Sequence, residues 1–226
     1  MKKPLLFLVL FLAASLGDIA SLAIPFDGRY FFKPIILPAL LGYYVTKATT
    51  RSNTFLVALF FCWAGDVLLM FDGEMFFMLG LVAFLTGHVF YIFSFRQFAW
   101  PNSTTLLPTQ KVRYAFPILL AATGLVVVLY PKLGAFKIPV IVYAVVIMLM
   151  AINALFRIGF TNRASFIWVF VGAILFMVSD SALAINKFHT SFAGASIIIM
   201  LTYISAQFLI VEGVLKHPVS NSLASR

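Results

Sequence analysis

The stretch ASFIWVFVGAILFMVSDSALAI, residues 164–185, decides the fold class. It is long enough to cross a bilayer, since a spanning helix needs about 20 apolar residues at 1.5 Å rise each. Yet it carries a carboxylate, Asp180, near its far end. The same pattern recurs outward along the chain: long apolar runs, short polar breaks, and a few ionisable groups inside the runs. It gives eight expected helices at about 4–24, 31–47, 54–71, 75–95, 114–130, 138–156, 164–185 and 191–215. Turn-forming clusters such as Pro25-Phe26-Asp27-Gly28 and Asp72-Gly73-Glu74 punctuate them. The expected fold is all-α: one polytopic helical bundle, residues 1–226, embedded in a membrane. The longest expected loop covers about 96–113.

Composition excludes the main alternatives. Of the 226 residues, 63% are hydrophobic and 10% charged, and the mean hydropathy is +1.06. A soluble domain carries about 25% charged residues, so this chain cannot cover a water-facing surface. The net charge of +9 would in a soluble protein suggest nucleic acid. Here the basic residues sit mainly between apolar runs, and no nucleic-acid partner is expected. With helices alternating in direction, 11 of the 16 Lys and Arg fall on one side and 5 on the other. The positive-inside rule then places both termini in the cytoplasm, as in an integral protein of a bacterial inner membrane. The start, Lys2-Lys3 before an apolar run, resembles a signal peptide. The run continues to Ile24, so a retained first span is the favoured expectation. The lone Cys62 and three histidines give no metal-ligand set, and neither a metal nor a cofactor is expected.

The two halves share faint similarity. Helix 3 holds Gly65-Asp66-Val67-Leu68-Leu69 and helix 7 holds Ser179-Asp180-Ser181-Ala182-Leu183. Helix 2 opens on Phe32-Lys33-Pro34 and helix 6 on Phe136-Lys137-Ile138-Pro139. This spacing is compatible with a 4+4 parallel repeat.

An ionisable side chain inside a span is costly unless paired or hydrated, so it is a functional candidate. Asp18, Asp66, Asp180, Glu212, His88 and Lys33 meet that description. Helix rise sets Asp66 and Asp180 at matched depth, each about 7 Å below the outer interface. Asp18, Lys33 and Asn186 belong to the same outer layer. His88, Tyr203 and Gln207 form a deeper set. The bland readings are a snorkelling Lys33, an Asp18 capping a frayed helix end, a Glu212 facing water and a His88 that only packs. Two intramembrane carboxylates can hold one protonated acid and one charged base near neutral pH. That suits acid–base hydrolysis of a bond at the lipid interface. No Gly-x-Ser-x-Gly elbow and no His-Glu-x-x-His is present.

At these residues the chain resembles the YhhN-like lysoplasmalogenases, also called the transmembrane protein 86 family. The resemblance rests on Lys33-Pro34-x-x-x-Pro38, Trp63-x-Gly65-Asp66-x-x-Leu69 and Gly87-His88-x-x-Tyr91. It continues with Ser179-Asp180-Ser181-x-Leu183-Ala184-x-Asn186-Lys187-Phe188 and Tyr203-x-x-Ala206-Gln207-x-x-Ile210. The pieces cover about 31–213 in order. The resemblance implies a membrane hydrolase that cleaves the vinyl ether bond of a lysoplasmalogen, releasing a fatty aldehyde and a glycerophospho-choline or -ethanolamine. On that reading Asp66 and Asp180 are the catalytic acid and base, unassigned between them. Lys33, His88, Asn186, Tyr203 and Gln207 bind or shape the substrate, a lysophospholipid among membrane lipids. No protein partner is implied. The rival reading is a small transporter or lipid flippase that uses the aspartates as a relay.

Overall fold

The computed structural model describes residues 2–23, 28–98 and 106–217. Its eight α-helices are α1 (Lys2–Ala23), α2 (Arg29–Lys47), α3 (Asn53–Leu68), α4 (Glu74–Gln97), α5 (Pro108–Leu129), α6 (Lys137–Leu155), α7 (Arg163–Ala184) and α8 (Ala195–Leu215). No strand occurs among the described residues. Six helices are long and apolar enough to cross a membrane: all but α2 and α3. Helix α3 has only 16 residues, and α2 contains the cations Arg29, Lys33 and Lys47.

Local chemistry sets the helix ends. Ser52 opens α3 by accepting from the Phe55 amide at 3.2 Å, and Asn162 opens α7 by accepting from the Ser165 amide at 2.7 Å. These are side-chain caps for amides that the first turn leaves without an intrahelical acceptor. Helix α5 starts six residues before its expected position. Pro108 occupies the first turn, where a missing N–H costs nothing, and the Leu107 amide donates to Gln110 Oε1 at 3.0 Å. The expected loop 96–113 is therefore shorter, with Lys111 and Arg113 on α5. Helix α7 ends in a π turn over Ile185–His189. Its Asn186 Oδ1 accepts from the Phe192 amide, which ties down the turn leading to α8.

The chain divides into two compact units, Met1–Tyr91 and Ile92–Arg226. In the first, α1 packs on α2 and α2 on α3. In the second, α6 packs against both α5 and α7, and α7 against α8. The α7–α8 seam is backbone-close. A Cβ at Gly172 would stand 2.9 Å from the Ala206 carbonyl oxygen, and one at Gly213 would stand 2.7 Å from the Val169 nitrogen. Small residues let helices approach this closely where lipid offers no hydrophobic drive for association.

Burial is inverted relative to a soluble protein. Asp18, His88, Ser94, Ser165 and Gln207 are fully buried, while Leu6, Leu16, Leu120, Val127 and Ile138 are exposed. An apolar exterior around polar groups is the arrangement a lipid solvent selects.

Candidate active site

In the first unit the intramembrane charges come together. Lys33 Nζ lies 3.8 Å from Asp66 Oδ1, and both side chains are 4% exposed. That distance is an ion pair, too long for a hydrogen bond. Asp18 is fully buried on α1, with Lys33 and Arg29 within electrostatic reach. Two acids and two bases thus form a near-neutral group. Unpaired, each charge would be expensive at this depth. Lys33 does not snorkel, and Asp18 does not cap an exposed end.

The Lys33–Asp66 geometry has a cause in the neighbouring residues. In a helix the N–H of residue 38 would donate to the carbonyl of residue 34. Pro38 has no N–H, so the Pro34 carbonyl loses its intrahelical donor. The Trp63 indole Nε1 donates to that oxygen at 3.0 Å. This bond pins α3 to α2. Lys33 precedes Pro34 and Asp66 lies three positions after Trp63, so the same clamp faces the two charges toward each other. Pro34, Pro38 and Trp63 in the quoted motifs therefore act through position.

His88 is fully buried on α4. Its neighbour Gly87 lets α4 approach α3: a Cβ there would meet Cys62 Sγ at 2.9 Å and the Ala58 carbonyl at 3.2 Å. Tyr91, one turn on, packs on Phe55 with ring centroids 5.6 Å apart. This region is a tight helix–helix seam.

In the second unit Asp180 has different company. The Tyr143 hydroxyl on α6 donates to Asp180 Oδ2 on α7. Both line a cleft between α5, α6 and α7, whose other walls include Leu125, Val140, Ile147 and Met177. An apolar trough with a few polar groups, here the Asp180 carboxyl, the Tyr143 phenol and the Ser181 hydroxyl, is the usual form of a small-ligand site. Sequence reasoning missed Tyr143 because helix 6 looked uniformly apolar. Its signal was available: Tyr143 and Asn153 are the only polar side chains of α6 after Lys137.

Tyr203 and Gln207 sit together on α8. Gln207 Nε2 donates to the Tyr203 hydroxyl at 3.4 Å, and the Tyr203 ring meets Phe176 edge-on at 5.3 Å. Ser179, beside Asp180, donates to the Ile199 carbonyl at 2.9 Å and so joins α7 to α8. Glu212 is 8% exposed. The expectation that it merely faces water fails, because α8 packs against α7 along that stretch.

A model of the YhhN family matches residues 28–214. The chain belongs to the YhhN family. It is 32% identical over 140 residues to the lysoplasmalogenase of Mycobacterium tuberculosis, covering 61% of this chain and 50% of that one. It is 30% identical over 176 residues to the lysoplasmalogenase TMEM86A of Bos taurus, covering 75% and 68%. Against the lysoplasmalogenase TMEM86B of Homo sapiens it is 32% identical over 155 residues, covering 69% and 60%. The chain spans about half the length of the mycobacterial relatives it matches. No solved structure matches it. The YhhN match takes in Lys33, Asp66, His88, Tyr143 and Asp180 and begins after Asp18, so all of α1 lies outside it.

Proposed function

We propose that this YhhN family chain is a membrane hydrolase that cleaves the vinyl ether bond of a lysoplasmalogen. The observation that carries the reading is the carboxyl of Asp180, held by Tyr143 at the wall of an apolar cleft. The names of its relatives support it. Vinyl ether hydrolysis begins with proton transfer to the alkene carbon remote from oxygen. The resulting oxocarbenium ion takes water at the carbon bearing oxygen. The hemiacetal then releases the glycerol hydroxyl and a fatty aldehyde. The reaction needs a positioned acid more than a nucleophile. Asp180 is that acid. Tyr143 bonds Oδ2 and fixes the carboxyl plane, leaving the proton to Oδ1. The alkenyl chain lies along the α5–α7 walls.

Asp66 supplies the second carboxylate, a fixed negative charge oriented by Lys33. Tyr203 and Gln207 shape the substrate region from α8. Asn186 orders the turn beyond Asp180, and His88 sets the α3–α4 seam. The basic-residue bias places the termini on the cytoplasmic face, and the carboxylates in the outer leaflet of a bacterial inner membrane. The division of the chain at Tyr91 fits a 4+4 arrangement. The long helices run unbroken through their centres, which favours hydrolysis over transport, since transporters commonly break helices there.

The test is aldehyde release by the purified protein from a panel of lysolipids, read by mass spectrometry. The expected result is aldehyde and glycerophospho-headgroup in equal amounts from lysoplasmalogen, and none from ester lysolipids. No turnover by folded protein, or full activity in both Asp180→Asn and Asp66→Asn, overturns the proposal.

A further inference from the structure

A second pocket occupies the other end of the Ile92–Arg226 unit. It is lined by Phe95, Arg96, Asn153, Phe156, Arg157 and Phe160. Asn153 is ten residues along α6 from Tyr143, a rise of about 15 Å. It is therefore separate from the Asp180 cleft, and nothing in the proposed hydrolysis uses it.

Its electrostatics are one-sided. Arg157 is 2% exposed. Its Nη1 donates to the Phe95 carbonyl at 3.2 Å and its Nη2 to Ser165 Oγ at 2.8 Å. Ser165 Oγ passes the chain on to the Gly213 carbonyl at 2.6 Å. The guanidinium is thus held rigidly, between the rings of Phe95 and Phe98 at 5.7 and 5.8 Å. A guanidinium has five N–H donors, and its buried Nε has no hydrogen-bond partner among the described residues. Arg157 makes no ion pair with a carboxylate among those residues. Burial lowers its pKa to about 9, which leaves it cationic at neutral pH.

Arg96 adds a second fork. Its Nε donates to Asn153 Oδ1 at 2.8 Å, and Asn153 Nδ2 is anchored on the Leu149 carbonyl at 2.8 Å. The terminal nitrogens of Arg96 are not used in that bond. A third cation, Lys111, stands over the Phe156 ring at 5.8 Å. The acid at this end of α8, Glu212, is not among the pocket's lining residues. A buried cation without an anion is costly, and such forks match the oxygens of a phosphate.

We propose that this pocket binds a phosphate group, with the three phenylalanines seating the apolar part of the molecule that bears it. The site is distinct from the hydrolytic one and does not depend on it. Two sources present this chemistry, an anionic lipid headgroup and free phosphate.

The experiment titrates the purified full chain in nonionic detergent by calorimetry. The probes are dihexanoyl phosphatidic acid, inorganic phosphate and dihexanoyl phosphatidylcholine. The expected result is saturable binding of phosphatidic acid, one per chain, weakened about tenfold by Arg96→Gln, the loss of one charge-assisted contact. Arg113→Gln, an exposed charge on α5, leaves it unchanged, as does Asp180→Asn. Inorganic phosphate binding with the same Arg96 dependence assigns the site to the phosphate group alone. Binding by the lipid only assigns it to a headgroup. Arg157→Lys keeps the charge, loses the fork and weakens binding severalfold. The proposal is overturned by absence of saturable binding to either phosphate probe. It is equally overturned by equal losses in Arg96→Gln and Arg113→Gln, or by phosphatidylcholine binding as tightly as phosphatidic acid.

Discussion

The two units treat their intramembrane carboxylates in opposite ways. Asp66 sits among charges: Lys33 opposite it, with Asp18 and Arg29 around that lysine. Asp180 accepts from a phenol on one oxygen and lies at the wall of a largely aliphatic cleft. In sequence the two look alike, each a Gly-Asp or Ser-Asp step near the same end of a span. A carboxylate with a buried cation is stabilised where it is and holds its partner in place. A carboxyl bonded by a phenol at the wall of an apolar cleft is suited to exchange a proton. On the proposed function, Asp180 is the proton donor and Asp66 the fixed charge that supports it.

The largest expected effect tests that separation directly. Asp180→Asn lowers kcat for aldehyde release by about 10²–10⁴, the usual worth of a positioned acid. The thermal midpoint of the purified protein barely moves, because asparagine still accepts from Tyr143. Asp66→Asn lowers kcat per folded molecule by a smaller factor, about tenfold. Equal losses in the two variants would break the contrast. Tyr143→Phe leaves the acid in place but frees its plane. It reduces kcat about tenfold with KM unchanged, and the alkaline limb of the pH–rate profile, where the Asp180 acid loses its proton, shifts; an unshifted profile would make Tyr143 a packing residue.

Stability comes next in size, and there the first unit is the sensitive one. Lys33→Met removes the cation between Asp66 and Asp18. Breaking one side of a buried pair costs about 3–5 kcal/mol, so the thermal midpoint in detergent falls sharply. The paired replacement Lys33→Met with Asp66→Leu recovers much of that loss. If the single variant melts like the wild type, the Asp66 side is not held by charge. Trp63→Phe is milder. It leaves the part-buried Pro34 carbonyl without its donor, a cost of about 1 kcal/mol, and it loosens the Lys33–Asp66 geometry without removing either charge.

The architecture was legible because the apolar runs leave the backbone one solution in lipid, the helix. The eight helices fall close to where hydropathy and turn residues put them. The error at α5 has a simple origin: Lys111 and Arg113 read as loop, whereas Pro108 and Gln110 form a sound helix start. The site was legible in part. Charges inside spans are rare, so Asp18, Lys33, Asp66 and Asp180 stood out. Tyr143 did not, because aromatic residues are ordinary in such sequence, and Trp63 stood out as a motif residue without a role. Their importance depends on which atom they reach, the Asp180 carboxyl or a carbonyl released by proline. Arg157 was counted as an orientation charge. Only its burial between Phe95 and Phe98 marks it as something more.

The smallest effect concerns the far end of the second unit, where the contrast repeats in miniature. His217, just past α8, is fully buried, and burial together with the Arg157 cation pushes its pKa below the ordinary 6.5. The folded protein therefore holds His217 neutral, while the unfolded chain takes up a proton as pH falls through about 6.5. The unfolded state binds more protons between the two pKa values, so stability rises with pH across that window. It is complete above about 6.5 and declines below it. His217→Leu removes this dependence: its thermal midpoint in detergent should be flatter between about pH 6.5 and 5 than that of the wild type. Parallel midpoint curves for the two proteins would show that Arg157 and burial do not govern this histidine. They would leave the charges of the first unit as the source of any acid sensitivity.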